Sequence, residues 1–369
     1  MKMILIKYVS AVFLASVVLC ACKNTDDSEP QAMETIDYAN ASIKSMADIP
    51  DSLLGYRKYI FLDNETKSTF VSAITKVSLA DGRIFVLDPK LSKVVVFDES
   101  GKGIGQVGSR GQGEGEYIGI SDFCLSDAGD IYLLDGVQKK LLVFDKQLIF
   151  KSARKLPFDA EALRMLQNGH ILWGLCSWNS GECSGRKMAV TDKDLNVLED
   201  LADYSDYTDP SYQFAPTKII ETAVGLVYNK ENDNHIYQLD KKGKMLQTLL
   251  FDFGKYSVPD EQKKNVEKHL ADYRRYCLLK GFVAVTDRIV AGQFRKFGQT
   301  VPFIFDRRHQ VCYEGEPSEI PTYTSATDYD HSYWITYLES LDSAPSSVPD
   351  AVRDYLKEEG MVLCLQKLE

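Results

Sequence analysis

Short runs of β-branched, aliphatic and aromatic residues recur along the chain, each bounded by a turn built from Asp, Gly, Asn, Ser or Lys. Such runs are too short for amphipathic helices and carry the residues that strands favour. Asp81-Gly82-Arg83-Ile84-Phe85-Val86-Leu87-Asp88 is followed by Val94-Val95-Val96-Phe97-Asp98. The same design returns 47 residues later, as Ala128-Gly129-Asp130-Ile131-Tyr132-Leu133-Leu134-Asp135 and Leu141-Leu142-Val143-Phe144-Asp145. Gly82 aligns with Gly129, Ile84 with Ile131, Asp88 with Asp135 and Phe97 with Phe144, without a gap. Four weaker copies follow. Gly169–Trp173 pairs with Met188–Asp192, Gly225–Tyr228 with His235–Asp240, Asp287–Gly292 with Pro302–Asp306, and His331–Tyr337 with Met361–Leu365.

A repeat of about 40–50 residues holding about four strands predicts the blade of a propeller, since one such sheet cannot bury its own faces and must stack on the next. The fold class expected is all-β: a six-bladed β-propeller. The last unit ends soon after its third strand. Tyr56-Arg57-Lys58-Tyr59-Ile60-Phe61-Leu62, upstream of the first unit, has strand character. An N-terminal strand joining the last blade would close the ring and leave no open edge. Two helical insertions interrupt the pattern. Pro259-Asp260-Glu261 has the proline and acids of a helix start, with Val266, Leu270, Tyr273 and Cys277 at helical spacing behind it. A second, shorter helix is expected at Pro349–Leu356. Either insertion could cap a face of the disc or dock a partner.

Units one and two, with Phe97-Asp98-Glu99-Ser100-Gly101-Lys102 leading into Gly108-Ser109-Arg110-Gly111-Gln112-Gly113-Glu114-Gly115-Glu116-Tyr117, resemble the six-bladed, NHL-repeat-like propeller lipoproteins of Bacteroidetes. Glu114 stands where that family usually carries proline. The resemblance spans about residues 49–369 and is strongest over 71–158. It implies a fold and a cell-envelope location, and no particular activity.

The N-terminus agrees with that address. Lys2 and Lys7 precede the apolar stretch Val9–Leu19, which is shorter than the roughly 20 residues of a permanent span. Leu19-Cys20-Ala21-Cys22 resembles a bacterial lipobox, which implies a lipoprotein signal peptide over 1–21 and lipidation of Cys22. Several acyl chains on one residue anchor far better than one. Asp26-Asp27-Ser28-Glu29 behind that cysteine resembles a surface-export signal and equally reads as a solvated tether. The expected layout is a flexible tether over 22–50 and the propeller domain over 51–369. The location expected is the outer membrane, periplasmic or surface-exposed.

The formal charge is −10, and loss of Lys2 and Lys7 with the signal leaves −12. That balance argues against a nucleic-acid partner, because binding phosphate backbones requires concentrated Lys and Arg. Of the six cysteines left after Cys20 and Cys22, Cys176 and Cys183 flank a hairpin tip and form the one disulfide candidate in an exported protein.

Catalytic signatures are scarce. The Gly108–Gly115 loop lacks the Lys-Ser/Thr of a P-loop, so it reads as a blade crossing or as the rim of a channel mouth bearing Arg110, Glu114 and Tyr117. Gly181-Glu182-Cys183-Ser184-Gly185 has the spacing of a nucleophile elbow without its strand-turn-helix context. No two of His170, His235, His269, His309 and His331 have metal spacing. No metal site or cofactor is expected, and calcium would lack a motif. Asp88 and Asp135, at one blade position, read as turn-capping carboxylates. Trp178, in the polar tip Ser177–Gly181, either packs locally or offers an indole to a ligand.

Three functions follow, in this order. The first is a non-enzymatic binding module tethered to the membrane, with a glycan, peptide or envelope protein as partner. The second is a propeller-type hydrolase or lyase with a channel-mouth site, calcium-dependent if a metal is gathered there. The third is a structural subunit of an envelope complex, docked through the helix at Pro259–Lys280.

Overall fold

Each repeat folds as an antiparallel sheet whose two middle strands are the apolar runs, because those runs can be covered on both faces only by neighbouring sheets. The computed structural model describes residues 32–63, 66–204, 208–212, 214, 218–222, 224–281, 283–315, 333–344 and 348–368. Three strands precede the repeats: β1 (Ala32–Asp37), β2 (Ser42–Ser45) and β3 (Leu54–Leu62). Blade I runs outward from the axis as β4 (Lys76–Ala80), β5 (Arg83–Asp88), β6 (Lys93–Asp98) and β7 (Gly103–Val107). A two-residue parallel pair, β8 (Ser109–Arg110) and β9 (Glu116–Tyr117), ties the crossing to the next sheet. Blade II is β10 (Ile120–Leu125), β11 (Ile131–Asp135), β12 (Lys140–Phe144) and β13 (Phe150–Lys155). Blade III is β14 (Ala160–Met165), β15 (Ile171–Leu175), β16 (Arg186–Thr191) and β17 (Val197–Asp203).

Blade IV holds β18 (Ile220–Thr222), β19 (Gly225–Asn229), β20 (His235–Leu239) and β21 (Met245–Asp252). In blade V, β22 (Cys277–Leu279) and β23 (Ala284–Val285) both line β24 (Ile289–Lys296), followed by β25 (Gln299–Asp306) and β26 (Val311–Glu314). Blade VI combines β27 (Tyr333–Leu338) and β28 (Met361–Leu368) with β3 as its outer strand. The sequence repeat is a repeat of register: Ile84 faces Phe97 across β5 and β6, and Ile131 faces Phe144 across β11 and β12.

The expected closure is present. β3 runs antiparallel to β28, with Ile60 opposite Leu363 and Tyr59 opposite Cys364. Side-chain packing closes the ring as well, since every neighbouring pair of blades, VI and I included, shares a buried apolar cluster. The VI–I cluster sets Ile60 and Leu363 against Val86 and Phe97. Burial of one such side chain contributes about 1.5–3 kcal/mol, so the seam is as well sealed as any other junction.

Two expectations need correction. Residues 32–45, assigned to a flexible tether, are built into the disc. β1 adds in parallel to the outer edge of blade IV, with Ala32 opposite Gln247, and β2 adds to blade V, with Ser42 opposite Val311. The open edges of β21 and β26 supply backbone partners that the polar composition of this segment does not announce. Residues 22–31 lie outside the described residues. The helix expected over Pro259–Lys280 is broken into α1 (Asp260–Lys263), α2 (Val266–His269) and a 3-10 turn at Asp272–Arg275. Asn265, in a non-helical conformation, caps α2 through the Lys268 amide, and Cys277 already belongs to β22. The shorter helix is observed as α3 (Asp350–Lys357), which buries Val352 and Leu356 against blade VI.

Candidate functional site

The two aspartates matched by the repeat do the same local task. Asp88 accepts the Leu91 amide at 2.9 Å in its own turn and the Ser72 amide at 2.6 Å from the segment entering β4. Asp135 accepts the Val137 and Gln138 amides and, at 2.7 Å, the Ile118 amide on the way into β10. Each carboxylate therefore fixes where a crossing meets an inner strand, and both are fully buried.

The Gly108–Gly115 loop is such a crossing, and it runs along the periphery. Gly115 has φ +75°, and a Cβ there would come within 2.8 Å of Phe150 on β13, the outermost strand of blade II. Arg110 and Glu114 point into solvent at this outer edge. Tyr117 is fully buried between blades I and II, its hydroxyl donating to the Val107 carbonyl at 3.2 Å, and burial raises its pKa to about 12. The three residues expected at a channel mouth are thus not gathered at one, and Tyr117 is a core residue.

The disulfide candidate is also corrected: both thiols are free. Cys176 is buried, and burial, reinforced by the Glu161 carboxylate and opposed by the Lys230 charge, pushes its thiol up to about 12. Cys183 instead faces Asp200, Glu182 and Arg186 toward the outer strand. The two ends of the hairpin tip look into different surroundings.

Trp178 is placed at a real concavity. Asn179 beside it is buried and accepts the Asp159 and Gly181 amides at 3.2 Å while donating to the Glu182 carbonyl at 2.8 Å. That anchor turns the indole outward, and 41% of Trp178 remains exposed. The concavity is a slot of about 50 Å³ on one face of the disc between blades III and IV. Its walls come from the β15–β16 tip, the crossing after β17, the β19–β20 tip and the α1–α2 insertion. An enclosed volume of that size admits roughly four water-sized groups.

Four aromatic rings stand around it: Trp178, Tyr204, Tyr212 and Phe214. The charged lining balances, with Lys187, Lys230 and Lys263 against Asp209, Glu231 and Asp233. Most of these charges are spoken for. The Lys187 amine donates to the Asp203 carbonyl at 2.7 Å and the Tyr237 hydroxyl at 2.9 Å, and lies 3.0 Å from Asp233. Lys230 is paired with the buried Glu161, and Lys263 with Asp260 at 2.9 Å. Asp209 accepts the Ser211 hydroxyl at 2.5 Å and the Val266 amide at 2.9 Å, which fastens α2 over the slot.

Two acceptors are left over. Glu231 and Asn232 are each only 9% exposed and line the slot. Asn232 donates through Nδ2 to the Tyr273 hydroxyl at 3.1 Å, but its Oδ1 is buried with no partner among the described residues. Its backbone is left-handed, with φ 75°. Burial holds the Glu231 carboxyl above the usual carboxylate range, with Lys280 and Arg295 pulling the other way. Burial also raises Asp233, but a hydrogen bond to His235 and the Lys187 charge outweigh it and bring this carboxyl down to about 2. An unpartnered buried acceptor is unfavourable by about 1–3 kcal/mol until a donor reaches it.

Sequence reading found Trp178 and missed Lys187, Tyr204, Glu231 and Asn232. Lys230-Glu231-Asn232-Asp233-Asn234 is polar throughout, as any turn between strands is, so its position gives no signal. Among the described residues no group of three His, Cys, Asp or Glu side chains is placed to hold a metal ion. His235 and His309 serve Asp233 and Asp306 at 2.8 and 2.9 Å, and His331 lies outside the described residues. Among the described residues no helix is long and apolar enough to cross a membrane.

A family model described as a domain of unknown function, DUF4934, matches residues 36–345. No curated protein matches the sequence. Among solved structures, a candidate exported protein from Bacteroides fragilis matches with a TM-score of 0.74 and 18% identity, over 92% of this chain and all of that one. A DUF4221 protein from Bacteroides vulgatus gives 0.48 and 8%, over 87% of this chain and 99% of that one. Virginiamycin B lyase from Staphylococcus aureus gives 0.46 and 10%, over 85% of this chain and 99% of that one. At 18% identity, the likeness to the Bacteroides fragilis protein is one of fold.

Proposed function

Because the chain belongs to the DUF4934 family, whose description names no activity, we propose its function from the slot between blades III and IV: a non-enzymatic module of the cell envelope that binds a sugar unit of a glycan. The observation that carries this reading is the pairing of an exposed indole, Trp178, with two nearly buried acceptors, Glu231 and Asn232, in one charge-balanced slot. Hydroxyl groups are the donors those acceptors lack, and the apolar face of a sugar ring stacks on an indole. The enclosed part suits a hydroxymethyl group or one ring edge, with the remainder of the ring against Trp178 at the mouth. Sites built around buried polar groups discriminate strongly against ligands that leave them unpaired. A cationic peptide is less suited, since Lys280 and Arg295 already act on the Glu231 carboxylate and Lys187 and Lys230 line the same slot.

The lipid anchor on Cys22 and the envelope location belong to the same proposal, supported by the lipobox-like Leu19–Cys22. Screening the protein against glycan and peptide libraries, with Trp178→Ala alongside, tests it. Oligosaccharide binding that weakens at least tenfold in Trp178→Ala supports the reading. Binding confined to peptides, or glycan binding indifferent to Trp178, would overturn it.

A further inference from the structure

The slot and the N-terminal entry of the chain lie at opposite ends of one strand. β20 leaves the slot-forming tip at Asp233 and Asn234 and ends in the turn Asp240-Lys241-Lys242-Gly243-Lys244. β1 begins at that same end, because Ala32 pairs with Gln247 in parallel register. The turn is unusually cationic for this molecule. Its counterparts between the third and fourth strands of blades I, II and III read Asp98-Glu99-Ser100-Gly101-Lys102, Asp145-Lys146-Gln147 and Asp192-Lys193-Asp194. In blade V the counterpart is again basic, Asp306-Arg307-Arg308-His309.

Asp240 and Asp306 are occupied within their own turns, accepting the Lys242 and Lys244 amides and the Arg308 and His309 amides. Lys241 is paired with Glu221, and Arg307 with Glu34. Lys242, Lys244 and Arg308 are exposed and have no ion pair among the described residues. Asp287, in the neighbouring turn of blade V, and Asp51, next to the Ser52 that Arg288 holds, are exposed acids, so three free cations stand against two free acids. Beside them stand two exposed apolar side chains, Met33 on β1 (65%) and Leu246 on β21 (48%). Both stand next to the basic turn, Met33 at the start of β1 and Leu246 in the bulge that opens β21.

We propose that this basic end of blades IV and V is the face the protein lays on an anionic lipid bilayer, which leaves the slot directed away from the membrane. The anchored form of the proposal rests on lipidation of Cys22. Nine residues lie between Cys22 and Ala32, a span of at most about 35 Å when extended, so the acyl chains can reach a bilayer lying under this end. Each free cation near an anionic leaflet strengthens binding roughly fivefold, and the apolar pair adds a shallow foothold at the interface. A chain of net charge −12 after loss of Lys2 and Lys7 is repelled by such a surface elsewhere, which sharpens the preference for this end.

The full chain on phosphatidylcholine vesicles, with and without about 30% phosphatidylglycerol, provides the test. Acylation of Lys242 and Lys244 is read by mass spectrometry, and acrylamide quenching reports Trp178, the exposed tryptophan. The expected result is at least fivefold protection of both lysines on the anionic vesicles, reversed by high salt, with Trp178 quenching unchanged. Equal labelling on both vesicles, or shielding of Trp178 with the lysines open, overturns the proposal. Cys22→Ser at excess anionic lipid separates the anchor from the face. Lost flotation with protection retained removes the anchor and upholds the face, whereas lost protection overturns the face.

Discussion

The Nζ of Lys187 lies 3.0 Å from the Oδ2 of Asp233, so a strand of blade III and a tip of blade IV are joined by an ion pair whose side chains are only 3% and 9% exposed. The amine also sits over the rings of Tyr204 and Tyr237, 5.5 and 5.2 Å from their centroids. Asp233 receives His235 Nδ1 at 2.8 Å and the Tyr237 hydroxyl at 3.1 Å. This network forms one wall of the slot. Removing one partner leaves the other charged in a dry place, a loss of about 3–5 kcal/mol. We expect Lys187→Met and Asp233→Asn each to destabilise the protein by that order in urea titrations. The double variant should lose less than the sum, because neither charge is then stranded. Strictly additive losses would show that the pair is not coupled.

Acid should act on the same wall. The Asp233 carboxyl is depressed from 3.8 to about 2 in the folded protein. A depressed carboxyl stabilises the fold above its unfolded value, and the contribution disappears as pH falls through the folded one. The window is therefore pH 4 down to 2, and the amount is about 2 kcal/mol at 1.4 kcal/mol per unit. Denaturation midpoints followed through that window should fall more steeply for the wild type than for Asp233→Asn. Parallel curves would remove Asp233 from the acid response.

The seam between blades VI and I depends on a close backbone approach. Gly101, in the turn before β7, has φ +93°, and a Cβ there would fall 2.0 Å from the Phe61 carbonyl oxygen on β3. The Asp63 amide donates to the Gly101 carbonyl at 2.9 Å across the same junction. Gly101→Ala must either shift β3 or strain the turn, and we expect a loss of about 2 kcal/mol or more. Gly82→Ala serves as the control, since it shares the positive φ but has nothing within 4 Å of the added methyl. If the two variants lose the same amount, backbone strain alone accounts for the effect and the approach to β3 is not critical.

The blades were legible because their signal is local and repeated. Phe97 and Phe144 mark one register position twice, and a β-branched run between polar turns has few alternatives to a half- or fully buried strand. Closure was legible from what the last repeat lacked. The slot was not, because its walls are collected from Ser177 to Val266, across two strand tips and two crossings, and each piece looks like an ordinary polar turn. Tyr117 misled for the opposite reason. A tyrosine beside a Gly-rich loop suggests a rim, yet the loop's glycines let it lie flat while the ring turns under it to meet Phe144 and Val107. β1 escaped notice because a parallel edge strand needs only backbone partners, which β21 supplies from more than 200 residues away.

Asn232 is where stability and binding should part. Its left-handed φ of 75° is strained for most side chains, and its buried Oδ1 has no partner among the described residues. Replacement by glycine relieves the backbone and removes the stranded acceptor, at the loss of the bond to the Tyr273 hydroxyl, worth about 1 kcal/mol. The balance is neutral to stabilising, by up to about 1 kcal/mol. If the acceptor is kept for a ligand donor, Asn232→Gly should bind the glycan at least tenfold more weakly while unfolding at the same or a higher urea concentration. A variant that binds normally and unfolds earlier would make Asn232 a turn-former, and the slot would lose one of the two groups on which its ligand chemistry was argued.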